Sequence, residues 1–423
     1  MNSYEQKFSN HLYLILYILE SYIFLKILIE IFTDQPIIGF INLRRLKKNF
    51  QCDNRLLLFF ATIFIRELNT MFHIASLNDQ FNDFIANKIN QKTKPLGALG
   101  QLELIATQLV TIFSQHINSV NEFTAFAPQI NQPTLIVFAG DHGVAAQGVS
   151  IAPSEVTSQM VTNFVHGGAA INVFCQQLGW QLEVVDCGIL IPVEHKSVHS
   201  FRLGNITNAI NTDMAMTVEQ VQQGFNNAKQ LIKSINNKGC NTVAFGEMGI
   251  GNTTSAAAIM AGLLNLPANQ CVGKGTGVTN DIVARKVTVV EQALELHKEK
   301  LNQPIDLLAA LGGFEIVHIT GAMLAAAELG MAVIVDGFIC TSAAMVAIKI
   351  NPAVKSYLIF AHCSNEHGHQ LMLNKLNVSA LLQLDLRLGE GTGAALSLPL
   401  LQASLGFYNQ MASFTDAGVE QVV

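Results

Sequence analysis

From residue 72 to about 127, apolar positions recur at steps of three and four: Phe81, Phe84, Ile85 and Ile89, then Leu99, Leu102, Leu104, Leu109 and Ile112. That spacing places them on one face of a 3.6-residue turn and predicts amphipathic helices forming a lid or small helical unit. The pattern then changes. Short unbroken apolar runs over 135–139, 182–185, 242–245, 332–335 and 357–360 carry β-branched and aromatic residues and predict interior parallel strands. Between them the helical period returns over 154–178, 217–236, 253–264, 281–300 and 316–329. Such alternation, with short glycine-containing joints, predicts an α/β fold: a doubly wound, mostly parallel, Rossmann-like sheet with a small helical accessory domain. In these sheets ligands gather beyond the carboxyl ends of the strands. Glycine-rich joints fall there at Gly140-Asp141-His142-Gly143, at 246–251, and at Gly337 after Val335-Asp336.

Composition narrows the partner. The chain of 423 residues is 50% hydrophobic and 13% charged, with a mean hydropathy of +0.34, enough apolar material for a large globular core. A net charge of -6 and a pI near 6.0 give no basic face for nucleic acid, which favours a small-molecule partner. The seven cysteines show no C-x-x-C pair and several sit in apolar runs, the usage of a reducing, cytoplasmic protein.

Residues 1–70 are made differently. They hold one glycine, Gly39, and one alanine, Ala61, but four of the six tyrosines, and eight Lys/Arg against six Asp/Glu give a local charge of +2. Their apolar stretch over 12–32 is interrupted by Glu20, Lys26 and Glu30, against a membrane span, and no small-residue cleavage site follows a short apolar core. The favoured reading is an N-terminal extension lying upstream of a biological start at Met71, with 71–423 as the functional domain and its helical accessory part drawn from the two ends. A membrane partner enters only if 1–70 is real and inserted.

Twice a glutamate stands beside a glycine and threonine turn: Gly246-Glu247-Met248-Gly249-Ile250-Gly251-Asn252-Thr253-Thr254 and Gly389-Glu390-Gly391-Thr392-Gly393-Ala394. A glycine turn that opens a helix offers bare N–H groups to an anion, and a carboxylate one step away can take a proton. The pairing suggests chemistry on a phosphorylated small molecule. Asn252 or Thr253 could simply cap a helix, but two glycines and three hydroxyls exceed what a cap requires. No Gly-Lys-Ser/Thr follows, so this is not a Walker A loop.

Gly273-Lys274-Gly275-Thr276-Gly277 is another glycine loop, followed by Ala284-Arg285-Lys286 on a helix; together with Lys286 the three loops can supply the converging donors and the cation a phosphate needs. Glu390 follows the alternating Leu384-Asp385-Leu386-Arg387-Leu388, read as an apolar strand that sets the carboxylate at the edge of a hydrophobic pocket. Such surroundings favour the protonated carboxyl and make a more effective base. The His- and Cys-containing run His362-Cys363-Ser364-Asn365-Glu366-His367-Gly368-His369 fits neither an H-E-x-x-H helix nor a Cys/His zinc spacing, so it is read as pocket lining or backbone bonding and no metal is expected. Asp141-His142 is either an acid–base pair or a structural turn.

Taken in order, these segments resemble the nicotinate-nucleotide:dimethylbenzimidazole phosphoribosyltransferase family of cobalamin lower-ligand synthesis. The match includes Lys94-Pro95-Leu96-Gly97-Ala98-Leu99-Gly100-Gln101-Leu102-Glu103, Phe138-Ala139-Gly140-Asp141-His142-Gly143-Val144-Ala145, Ile151-Ala152-Pro153-Ser154 and His166-Gly167-Gly168-Ala169-Ala170-Ile171-Asn172. It continues through both glutamate turns, the 273–277 loop, Leu311-Gly312-Gly313-Phe314-Glu315 and Val335-Asp336-Gly337-Phe338, and so covers roughly 72–410. Family members begin near Met71, in line with the start favoured above.

The resemblance implies transfer of the phosphoribosyl group of nicotinate mononucleotide to 5,6-dimethylbenzimidazole, giving α-ribazole 5′-phosphate and nicotinate. It makes Glu390 the base and sets Glu247 near the ribose. Gly249, Gly251, Asn252, Thr253, Gly275, Thr276, Gly277, Lys286, Gly312, Gly313 and Gly391 become candidates for holding the nucleotide and its phosphate. Pro153, Ser154, Gln159 and Leu388 become candidates for the flat slot of the base. The family needs no metal or redox cofactor and is homodimeric, with active sites near the interface. Two alternatives stay open: the same transfer to adenine or a phenolic acceptor, and a catalytically silent nucleotide-binding or membrane-tethered protein. The presence of both glutamates argues against silence.

Overall fold

The computed structural model describes residues 71–275 and 277–420; the reading of 1–70 as an upstream extension lies outside the described residues. Six strands form one sheet: β1 (Thr134–Gly140), β2 (Gln181–Gly188), β3 (Val198–Ser200), β4 (Thr242–Met248), β5 (Ala332–Val335) and β6 (Leu358–Phe360). Their spatial order is β3-β2-β1-β4-β5-β6, and every neighbouring pair is parallel. This is the doubly wound order, whose connections reverse direction between β1 and β4 and leave a crevice beyond their carboxyl ends.

The unbroken apolar runs have a physical cause: every residue of β1 and β5 is buried, because helices cover both faces of the sheet. Alternate residues of β1 point opposite ways. The Phe138 ring stacks on His318 of the Phe314–Glu328 helix at 6.0 Å. Leu135, on the other face, lies under Gly391 at the start of the Thr392–Gln410 helix. Full burial of Leu135, Ile136, Val137 and Phe138 contributes about 1.5–3 kcal/mol each.

The N-terminal helices Asn82–Asn90 and Gln101–Phe113 join the C-terminal end of the chain. Gln101–Phe113 packs on Thr392–Gln410, and the N–H of Phe414 donates to the carbonyl of Gln91 at 2.9 Å. Among the described residues no helix is long and apolar enough to cross a membrane.

Two expectations are corrected, and one strand was unforeseen. The helical stretch 154–178 is two helices, Glu155–His166 and Ala170–Leu178, because Gly167 takes a left-handed conformation (φ 79°) and Ala169 is extended. The alternating run 384–388 is not a strand: Leu384 and Leu388 are about half exposed, and Asp385 sits at φ 54°. β3, a half-exposed edge strand of three residues, was not expected from the apolar pattern.

Candidate active site

At the carboxyl end of β4 the chain turns through Gly249 and Gly251 into the Asn252–Leu264 helix; β5 ends in Asp336-Gly337 before the Phe338–Ile350 helix. Between these ends lies a cavity of about 120 Å³, walled by Glu247, Asn252, Thr253, Asp336, His362 and Leu388 among others. Glu366 and Arg387 belong both to this wall and to a larger polar basin of about 720 Å³.

Glu247 is buried near the end of β4, and its carboxylate accepts a hydrogen bond from the side-chain amide of Asn252. Burial pushes its proton affinity well above the usual carboxylate range, and the nearby charges of Glu315, Asp336 and Glu390 add to the effect against the Asn252 bond. Glu390 stands one residue behind Gly389, which forms part of the cavity wall, and is also buried. Its Oε2 accepts from the main-chain N–H of Ile171 at 3.3 Å, in the first turn of the Ala170–Leu178 helix. Burial raises its proton affinity; the Ile171 N–H opposes that shift and the charge of Asp336 reinforces it.

Glu390 takes a left-handed conformation (φ 62°) between Gly389 and Gly391 at φ 85° and 84°. This turn rests directly on β4, where a Cβ at Gly246 would collide with the main chain of Glu390. A Cβ at Gly389 would likewise collide with Oε1 of Glu247. Asp336 holds the turn from the side of β5: its Oδ1 accepts from the N–H of Ala394 at 2.8 Å, within the first turn of the helix that follows Glu390. Asp336 therefore both positions Glu390 and shapes its charge environment.

Lys286 lies on the Asn280–Leu296 helix, is buried, and its Nζ donates to Thr253 Oγ1 at 3.1 Å beside Gly275. Burial lowers its proton affinity, with the Glu366 charge working against the shift. Here the start of one helix, a glycine loop and a buried ammonium meet, an arrangement suited to a phosphate.

The candidates from sequence separate into groups. Glu247, Gly249, Asn252, Thr253, Gly275 and Leu388 line the cavity, with Lys286 directly behind Thr253. Gly251 and Gly391 precede the first residues of their helices, with φ of 99° and 84°. Gly277 faces the Arg387 guanidinium, and Thr276 lies outside the described residues. Gly312 ends the Pro304–Leu311 helix by donating its N–H to Leu308, and Gly313 packs on His142 and Glu315, so neither lines the cavity. Pro153, Ser154 and Gln159 also stand off its wall, at the start of the Glu155–His166 helix. That helix touches the wall through Thr157, whose Oγ1 accepts from the N–H of Ile250 at 3.3 Å.

Sequence reasoning gave no site role to Asp336 or the N–H of Ile171, whereas His362, Ser364 and Glu366 of the 362–369 run do line the cavity, as expected of that run. The position of Asp336 immediately after a predicted strand was the available signal; a main-chain donor has none. In the 362–369 run, His369 bonds Ser364 and Thr341 at 2.8 and 2.9 Å, and burial lowers its proton affinity to about 3. Among the described residues no group of three or more His, Cys, Asp or Glu is arranged to hold a metal.

The chain that builds this site is similar to known proteins. A nicotinate-nucleotide--dimethylbenzimidazole phosphoribosyltransferase of Pseudoalteromonas translucida is 75% identical over 353 residues, covering 84% of this chain and 100% of the relative. One from Shewanella putrefaciens is 58% identical over 353 residues, 83% of this chain and 98% of the relative. Among solved structures, CobT from Thermus thermophilus superposes with a TM-score of 0.74 at 37% identity, covering 80% of this chain and 98% of that one. The phosphoribosyltransferase family model matches residues 74–419, which takes in the whole sheet, both glutamate turns and Lys286, and the chain therefore belongs to that family.

Proposed function

We propose that the chain transfers the phosphoribosyl group of nicotinate mononucleotide to 5,6-dimethylbenzimidazole, forming α-ribazole 5′-phosphate and nicotinate. The observation that carries this reading is the placement of Glu247 and Glu390 together at the carboxyl end of β4, across from Lys286 and the start of the Asn252–Leu264 helix. The names of these relatives support the same pair of substrates.

In this reading one ring nitrogen of the benzimidazole attacks the anomeric carbon. The bond to nicotinate breaks, and its electron pair returns to the pyridinium ring and neutralises it. Inversion converts a β-linkage to an α-linkage. The proton on the other benzimidazole nitrogen passes to Glu390, whose raised proton affinity suits it to receive it near neutral pH. Glu247 and Asp336 line the cavity beside Glu390, and in their ionised forms these carboxylates oppose the developing positive charge at the anomeric carbon, which is electrostatic stabilisation by fixed groups. Lys286, Thr253 and the start of the Asn252–Leu264 helix hold the 5′-phosphate, and Leu388 lies along the flat base. Pro153 and Ser154, just before the Glu155–His166 helix, and Gln159 within it stand off this wall and are assigned to the outer part of the base slot. The reading carries with it a homodimer with sites near its interface and a cytoplasmic location.

Chromatography of a reaction containing the full chain and both substrates tests the proposal. Nicotinate and α-ribazole phosphate are expected in equal amounts. Nicotinate released without the second product points to hydrolysis and removes the acceptor from the reading.

A further inference from the structure

Behind the Glu247 wall three fully buried polar side chains form a chain that the transfer chemistry does not use. His142 follows β1, and its Nδ1 meets Ser255 Oγ at 3.0 Å while its Nε2 meets Glu315 Oε1 at 2.6 Å. The second oxygen, Glu315 Oε2, has no hydrogen-bond partner among the described residues. Space for the pair is made by missing side chains: a Cβ at Gly140 would stand 2.7 Å from Glu315 Oε2, and one at Gly313 2.6 Å from the same atom.

Stability does not explain this arrangement. A buried polar pair is seldom more stabilising than apolar groups of equal volume, so its presence points to a demand for fixed geometry. Ser255 shows what is fixed. It lies three residues after Asn252 in the first turn of the Asn252–Leu264 helix, and Asn252 is the residue whose amide holds Glu247. The His142 ring also lies against the 249–251 turn, with its Cβ 3.1 Å from where a Cβ on Gly251 would stand. A polar path thus runs from Glu315 through His142 and Ser255, across one helical turn to Asn252, and onto the Glu247 carboxylate.

We propose that His142 and Glu315 are positioning residues for Glu247, fixing through Ser255 the first turn of the helix that presents Asn252. The proposal rests on the reading of Glu247 as part of the phosphoribosyl site. The path also carries charge. After burial, the Glu315 charge contributes most to raising the proton affinity of Glu247. The other titratable groups facing this cluster are Asp141 after β1, Cys187 on β2, Asp336 after β5, Cys340 on the Phe338–Ile350 helix, and Glu390 on its turn.

Glu315→Gln and Ser255→Ala test it, with kcat, KM for each substrate, the pH profile of kcat/KM and the thermal midpoint measured on the full chain. In Glu315→Gln, kcat is expected to fall about tenfold, the size of a lost charge-assisted hydrogen bond of roughly 1.4 kcal/mol, with KM for dimethylbenzimidazole nearly unchanged. The limb of the profile set by Glu247 is expected at lower pH, because one negative neighbour is gone. Ser255→Ala, a mild change within a helix, is expected to lower kcat in the same direction, and the double variant to be no worse than Glu315→Gln alone, since both cut one path. A folded Glu315→Gln with wild-type kcat and pH profile and only a lower midpoint overturns the proposal, as does strict additivity of the two changes. If the wild type itself transfers nothing, the phosphoribosyl reading falls and takes this one with it; transfer by the wild type with unchanged variants removes the positioning role alone.

Discussion

The main chains of Glu390 and Glu247 are bonded to each other: the N–H of Glu390 donates to the carbonyl of Glu247 at 3.2 Å. Two carboxylates far apart in sequence are thereby set in one register, with the glutamate turn seated on the end of β4. Their roles differ because their surroundings do. Glu247 is held by an amide and crowded by negative charge, whereas Glu390 faces the N-terminus of the Ala170–Leu178 helix.

Replacing Glu390 with glutamine keeps size and hydrogen bonding but removes the base. Turnover is expected to fall by roughly two to four orders of magnitude, with nicotinate mononucleotide binding retained. In the wild type, raised proton affinity at Glu390 sets an acidic limb in kcat above the ordinary carboxylate range, and the limb is expected to vanish in Glu390→Gln. Steady-state kinetics from about pH 5 to 9 with a parallel binding titration decide it; near-normal turnover in the variant removes Glu390 from this role.

Gly246→Ala tests the seat of the turn. The added Cβ collides with the main chain of Glu390, so the turn must move away from β4. Overpacking of this kind costs about 1–3 kcal/mol of stability, readable by urea unfolding. The displacement also takes the base out of line, so kcat is expected to fall further than KM rises. A variant as active as wild type shows that the turn adjusts without consequence.

The parts of this site that were legible in sequence were those written in side chains. β1 and β5 are buried on both faces, so their runs of Leu, Ile, Val and Phe or Ala announce them. The two glutamates and the 273–275 loop stand out because glycines cluster beside them. What sequence hid were distances and main-chain donors. Nothing in residues 384–388 separates an alternating strand from an extended segment with Leu384 and Leu388 half exposed. The break between His166 and Ala170 was legible in Gly167-Gly168, a helix-ending pair, but the apolar spacing on both sides of it reads as one helix. The bond from Asp336 to Ala394 spans 58 positions, and the Ile171 N–H that meets Glu390 belongs to every non-proline residue alike.

The clustered carboxylates have a cost in stability that depends on pH. A carboxyl whose proton affinity is raised on folding stabilises the fold fully below its unfolded pKa, and that contribution is lost as pH climbs through the raised value. Burial raises the proton affinity of Glu247, Asp336 and Glu390 alike above the ordinary carboxylate range. The wild type is therefore expected to lose stability as pH rises above that range, at about 1.4 kcal/mol for each tenfold gain in proton affinity on folding. Glu247→Gln removes one charge while its amide oxygen still accepts from Asn252. Its thermal midpoint is expected to exceed that of wild type, with the gap widening from about pH 5 to pH 8 while turnover drops. A gap that stays constant with pH contradicts the assignment of this cost to Glu247.

Lys286 offers a test of the phosphate cradle that leaves the base untouched. Its ammonium is buried against Thr253 and has a lowered proton affinity, so the nucleotide loses its cation at a lower pH than an exposed lysine allows. Lys286→Met keeps the length and the apolar stem but not the charge. The KM for nicotinate mononucleotide is expected to rise roughly ten- to a hundredfold, the range of one hydrogen bond to a charged group, with KM for dimethylbenzimidazole little changed. In wild type the same KM should climb on the alkaline side as Lys286 loses its proton, and in Lys286→Met it should be flat there. Measuring nucleotide KM from about pH 7 to 10 in both proteins separates the outcomes: an alkaline rise that persists in the methionine variant assigns the titration to another group and takes Lys286 out of the cradle.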